Sequence, residues 1–102
     1  MIAPVDVFRG ETFDLEAQYL DAAGQPRSLA GVTVTAWLAG PSGAIPVAIA
    51  IGNLVQGLYR FRQERALTAL WPAGFWTLYV SYADAAETET EAVVTVTVRD
   101  PA

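Results

Sequence analysis

Apolar and polar residues alternate with period two in short runs along this chain, and glycine, proline or another turn former interrupts the alternation about every ten residues. In the clearest run, residues 12–20, Phe13, Leu15, Ala17 and Tyr19 alternate with Asp14, Glu16 and Gln18. Successive side chains of a strand point to opposite faces, so such a run buries one face and wets the other. Residues 32–39 repeat the pattern, with Val32, Val34, Ala36 and Leu38 inward and Thr33, Thr35 and Trp37 on the reverse face. Tyr59 and Phe61 are the inward pair of 57–63, and Arg60 and Arg62 project outward. Over 75–82 the inward set is Trp76, Leu78 and Val80, opposite Phe75, Thr77 and Tyr79; over 88–99 it is Val94, Val96 and Val98.

Two further runs are less regular. Residues 6–9 form a short first strand ended by Gly10. Residues 44–51 place Ile45, Val47, Ile49 and Ile51 on one side, with Pro46 on the other. A proline cannot donate to a ladder, which assigns this strand to a sheet edge. Only 64–70 abandons the alternation. It contains good helix formers over about two turns, a length that is stable only as a packed crossover; Leu67 and Leu70 are expected to pin it down before Pro72 and Gly74 stop it. About seven strands with one short helical crossover make an all-β, immunoglobulin-like two-sheet sandwich. No cysteine pair of the antibody kind accompanies it, so the assignment is one of architecture.

A chain of 102 residues buries roughly 65% of its unfolded surface, enough for one core. Neither a linker, a repeat nor a low-complexity tract divides it, and 1–102 reads as one domain. It has no cysteine and no histidine. Disulfides, thiolate chemistry, Cys/His zinc sites and imidazole catalysis are therefore excluded, and no cofactor is expected. All six basic residues are arginines against eleven acids, for a net charge of −5, a balance that repels nucleic acid. No basic stretch followed by an apolar run opens the sequence, and no segment approaches the ~20 apolar residues of a spanning helix. The expectation is a soluble protein made in the cytoplasm without a signal peptide or membrane anchor.

The polar residues offer little catalytic equipment. Asp14 and Glu16 share a strand face roughly 7 Å apart, a spacing compatible with paired glycosidase carboxylates but equally that of a solvated acidic face. Glu87, Glu89 and Glu91 form a second acidic row, readable as a weak calcium site or as charge that keeps an edge unpaired. Arg60 and Arg62 make a basic row suited to cross-strand pairing with one of these. Ser28, Ser42 and Ser81 have no histidine or lysine to activate them. No metal site is assigned, and the chain is expected not to be an enzyme.

The hydrophobic content is 53% with only 17% charged, against roughly 25% charged in ordinary domains. Some of that apolar surface should meet a partner. Trp37, Phe75 and Tyr79 fall on faces opposite the core, and Trp71 lies beside Pro72 in a loop. These four aromatics are the candidate partner-binding residues, because large exposed apolar groups mark contact surfaces. Protein contact and sugar stacking on an aromatic platform are both open readings, and a one-residue error of facing would return them to the core.

The run Val5-Asp6-Val7-Phe8-Arg9-Gly10-Glu11-Thr12-Phe13, followed by Ala23-Gly24-Gln25-Pro26-Arg27-Ser28-Leu29-Ala30-Gly31-Val32-Thr33-Val34, resembles small β-sandwich domains of tailed-phage and prophage structural proteins. Among these it is most similar to the N-terminal domains of upper baseplate and tail fibre-anchoring proteins. Arg65-Ala66-Leu67-Thr68-Ala69-Leu70-Trp71-Pro72-Ala73-Gly74 is similar to their helical crossover. The resemblance implies a non-enzymatic adaptor or anchoring module of a tail, baseplate or head appendage. It would sit in the virion among other virion structural proteins, in multiple copies within a symmetric assembly. A carbohydrate-binding module using the exposed aromatics is the alternative.

Overall fold

The computed structural model describes residues 4–41 and 43–100; Ser42 lies outside the described residues. Eight strands and one helical turn follow in the order β1 (Val5–Phe8), β2 (Phe13–Gln18), β3 (Thr33–Gly40), β4 (Gly43–Val47), β5 (Ile49–Asn53), β6 (Leu58–Gln63), α1 (Arg65–Thr68), β7 (Gly74–Ala83) and β8 (Thr88–Arg99). They form a five-stranded sheet, β1-β8-β7-β3-β4, packed on a three-stranded sheet, β2-β6-β5. The expected all-β sandwich is what the chain adopts. All neighbours are antiparallel except β1, which runs parallel to β8.

The strand count rises to eight because the run expected as one strand over 44–51 changes sheets. Ala48 is the crossing point: its N–H donates to the Gln63 side-chain Oε1 at 3.1 Å, and its carbonyl accepts from the Arg62 N–H at 2.9 Å. Its backbone groups are thus satisfied by β6, while β4 stays on β3. Pro46 lies in β4, an edge strand as its missing donor requires. On the opposite flank β1 and β2 divide in the same way between the two sheets.

The core is the inward set of both sheets. Phe61, Leu38, Leu78, Val80, Val94 and Val96 are completely buried, with Phe13, Tyr59, Trp76 and Val98 around them. Ile51, grouped with Ile49 by alternation, is half exposed on edge strand β5. Between Leu78 and Tyr79 the β7–β8 register shifts, so Leu78 opposes Val94 while Tyr79 opposes Ala92. Val93 is the extra residue of this bulge and is buried. At the tip of the loop before β6, Gly57 has φ +70°, and a Cβ there would stand 2.2 Å from the Arg27 carbonyl oxygen. Only glycine fits that approach of backbone to backbone.

The crossover docks by a different face from the one expected. Residues three apart share a face of a helical turn. Thr68 and Trp71 form the inward pair, which turns Leu67 and Leu70 to the outside. Thr68 is fully buried, and its hydroxyl donates to the Glu11 carbonyl at 2.6 Å, tying α1 to the β1–β2 turn. Trp71, expected on the surface, is 2% exposed and meets Phe13 edge-on with centroids 5.6 Å apart. The loop it occupies is folded over the end of the sandwich, so sequence position beside a proline did not mean exposure.

Trp71→Ala should therefore destabilise the fold by about 3–5 kcal/mol in urea titrations. Phe75→Ala, a change at a 75% exposed side chain, should stay within about 0.5 kcal/mol. The reverse order would contradict this placement of the two aromatics.

Candidate functional site: two unlike outer faces

The outer face of the three-stranded sheet is ionic. Register places Asp14 opposite Arg62 and Glu16 opposite Arg60. Asp14 accepts from Arg60 Nε at 2.7 Å and from Arg62 Nη1 at 2.9 Å, and Glu16 accepts from Arg60 Nη1 at 2.9 Å. The pairing expected between a basic and an acidic row is thus present. Hydrogen bonding from Arg60 holds the Asp14 carboxyl below its usual range, with the charges of Arg60 and Arg62 acting in the same direction. A general acid would need the opposite shift. Both carboxylates stand on an exposed strand surface rather than in a cleft.

The outer face of the five-stranded sheet is built from other chemistry. Read across the register, its rows are Thr90–Ser81–Thr35, Ala92–Tyr79–Trp37–Pro46, Thr95–Thr77–Ala39–Ala44 and, at the β1 edge, Asp6–Thr97–Phe75. Only Asp6, at the β1 edge, carries a charge among these positions; the other three rows carry none. Asp6 and Arg99, in the strands at the β1 side, are paired with each other at 3.3 Å. Trp37 and Tyr79 are direct cross-strand neighbours, half-buried, with ring centroids 5.8 Å apart and planes 17° apart. Phe75 stands free on the same face. Three of the four candidate aromatics are therefore brought together on one surface; Trp71 is separated from them by the core. Alternation located the three, but the threonine surround became visible only when four strands were aligned.

The acidic row of the last strand does not gather into a ligand cluster among the described residues. Asp84 accepts the N–H groups of Ala86 and Glu87 at 2.8 Å, and these bonds hold its carboxyl low. Glu89 reaches Arg27 at 3.6 Å. No group of three metal-ligating side chains occurs among the described residues. Ser28 Oγ accepts from the Ala30 N–H, and Ser81 Oγ accepts from the Thr90 hydroxyl at 3.4 Å.

Glu91 borders a small cleft with Tyr59, Tyr82 and Leu20 that alternation alone did not reveal. The phenols of Tyr59 and Tyr82 are hydrogen-bonded to each other. Tyr19 stacks on Tyr82 at 4.0 Å, with the Arg27 guanidinium 4.5 Å from the Tyr19 ring centre. Burial pushes the Tyr59 phenol up to about 12, partly offset by the bond to Tyr82. Burial, then the Tyr59 bond, also raises Tyr82. A folded-state value above that of the unfolded chain gives stability that is complete below the unfolded value of 10 and is lost as pH rises toward about 12. The thermal midpoint should accordingly fall between pH 10 and 12. Tyr82→Phe should flatten that fall while lowering neutral-pH stability by about 1 kcal/mol.

No protein-family model matches the chain, and no curated protein matches it. Solved structures match its fold. The N-terminal domain of the phage TP901-1 protein ORF48 superposes with a TM-score of 0.59 at 16% identity, covering 93% of this chain and 83% of that one. An endo-beta-1,4-mannanase from Thermotoga petrophila gives a TM-score of 0.58 at 12% identity over 96% of this chain and 18% of the enzyme. An endo-fucoidan hydrolase of glycoside hydrolase family 107 gives 0.60 at 14% identity over 99% of this chain and 13% of that protein. The chain thus spans less than a fifth of either hydrolase. At these identities the likeness is one of fold, and one of the proteins sharing it is a phage protein.

Proposed function

We propose that this chain is a non-enzymatic adaptor or anchoring module of a phage or phage-like particle, docked through the outer face of its five-stranded sheet. The observation that carries this reading is the contrast between the two outer faces. A chain with eleven acids and six arginines keeps charge off the central rows of one broad sheet surface and places threonines and aromatics there instead. Charge is depleted, and aromatics enriched, at the centres of protein interfaces. The partners are other structural proteins of the particle, contacted in multiple copies within a symmetric assembly. The fold likeness to the phage TP901-1 domain, which this chain nearly spans, supports a place in a tail, baseplate or head appendage.

Carbohydrate binding is the second reading, favoured by one observation: the near-parallel Trp37 and Tyr79 rings on the same face as free Phe75. Such a surface suits a sugar ring. The two hydrolases that contain this fold as a minor part lend it support.

Thr77→Arg puts an unpaired charge in the middle of the docking face without touching the core. Wild-type protein should sediment with particles from a lysate of its native host. The variant, folded by circular dichroism, should be depleted from that fraction by about tenfold, since burying an unpaired charge costs several kcal/mol. A wild-type chain found only as free monomer in that lysate would overturn the proposal. Glycan binding abolished by Trp37→Ala would select the second reading.

A further inference from the structure

A second feature lies elsewhere, a cleft along the free side of edge strand β4. Its volume is about 720 Å³, and its walls are Ile45 and Val47 of β4, buried Trp71 and Trp76, and the outward Leu67 and Leu70 of the crossover. Leu70 is 74% exposed. The apolar lip is a direct consequence of how α1 docks: with Thr68 and Trp71 turned in, the two leucines have nowhere to go but over this groove.

The backbone bordering the groove is incompletely paired. Among the described residues, β4 has β3 as its one sheet neighbour. Pro46 faces Trp37 in the register, and since proline has no N–H, this is a pair that exchanges no hydrogen bonds. The Pro46 carbonyl therefore turns away from β3. By the same alternation so do the N–H and carbonyl of Ala44, and Ala48, next in that parity, does send both its groups to β6. The open edge thus offers one donor and two acceptors. Gln63 adds another donor. Its side chain lines the groove and the residue is 8% exposed; Oε1 is occupied by the Ala48 N–H, and no hydrogen bond among the described residues uses Nε2. Nε2 opens into the groove, where water or an incoming backbone carbonyl can accept from it.

We propose that this groove receives an extended apolar segment of a partner protein, added as a strand beside β4. Apolar side chains of the segment would lie between the tryptophans and the leucine lip, and its backbone would meet Ala44, Pro46 and Gln63 Nε2. Alternating donors and acceptors next to apolar walls match a peptide backbone, which carries both in register. A purely apolar small molecule leaves the edge unpaired. A second copy pairing β4 to β4 would set the donor-poor Pro46 edge against itself. The inference does not rest on the sheet-face reading: Ala44 and Pro46 border both surfaces, but the groove uses their backbone groups and the sheet face their side chains.

The test uses an acetylated, amidated heptapeptide of alternating threonine and valine, titrated into nitrogen-labelled protein and followed by NMR. Saturable shifts at the Gln63 side-chain amide and the Ala44 N–H, with slowed exchange of both, are expected. Leu70→Asp, an exposed change, should weaken binding about tenfold, as should N-methylation of alternate peptide amides. Thr77→Arg should bind like wild type, so failure of the particle reading would leave this result intact. The proposal is overturned by absence of binding at millimolar peptide, by equal binding of the N-methylated peptide, or by shifts confined to the outer sheet face. Shifts at the groove that change on dilution without peptide would also overturn it, by identifying the occupant as a second copy.

Discussion

Register in the β3–β7–β8 ladder is the constraint from which the other properties of this molecule follow. With Leu38 opposite Leu78 and Leu78 opposite Val94, the central strands send leucines and valines inward and threonines and aromatics outward. A one-residue slip would exchange these sets and put Trp37, Tyr79 and the threonines in the core. The slip is opposed by transfer free energy: each aliphatic side chain moved from core to water costs about 1.5–3 kcal/mol. The bulge at Val93 keeps the long pair β7–β8 in step with this requirement over its whole length. It absorbs one residue and keeps Val93 as well as Val94 buried.

The same alternation, applied to two sheets of different composition, makes two outer surfaces of opposite kind. On the small sheet, arginines and carboxylates are interleaved and mutually satisfied, a surface that water solvates well and that contributes little net stability. On the central rows of the large sheet the outward positions are hydroxyls, methyls and rings. Threonine suits such a face because it is β-branched, which favours the strand, and it can still hydrogen-bond to water or to a partner. One side of the domain thus carries apolar rings among mostly uncharged neighbours, while the charges on its other side are ion-paired.

The ends and edges are managed by single polar atoms. Thr68 spends its hydroxyl on Glu11, and this one bond orients α1 so that Trp71 closes the core. Gln63 spends its Oε1 on Ala48, which lets the chain leave one sheet and join the other without stranding a backbone donor. Both residues are buried polar side chains in an apolar setting, where an unmade bond is costly. Their placement decides the shape of the groove beside β4, since one positions its leucine lip and the other its floor.

The all-β class, the inward aliphatic sets, the edge position of Pro46 and the outward facing of Trp37, Phe75 and Tyr79 were legible in the residues, because period-two alternation is a local property of an extended chain. The likeness of the opening and crossover segments to phage sandwich domains was legible too, and the fold shared with a phage domain agrees with it. Three features were not. The run around Ala48 reads as one strand, since changing sheets leaves its alternation intact and only the Gln63 and Arg62 partners show the break. Leu67 and Leu70 are as apolar as Trp71, and a single helical turn offers two faces; the hydroxyl of Thr68 reaching Glu11, 57 positions away, chooses between them. The threonine-and-aromatic surface, finally, is assembled from strands that are neighbours in space but far apart in sequence. Alternation along the chain sets which side chains point out, and only pairing between strands determines which of them lie side by side.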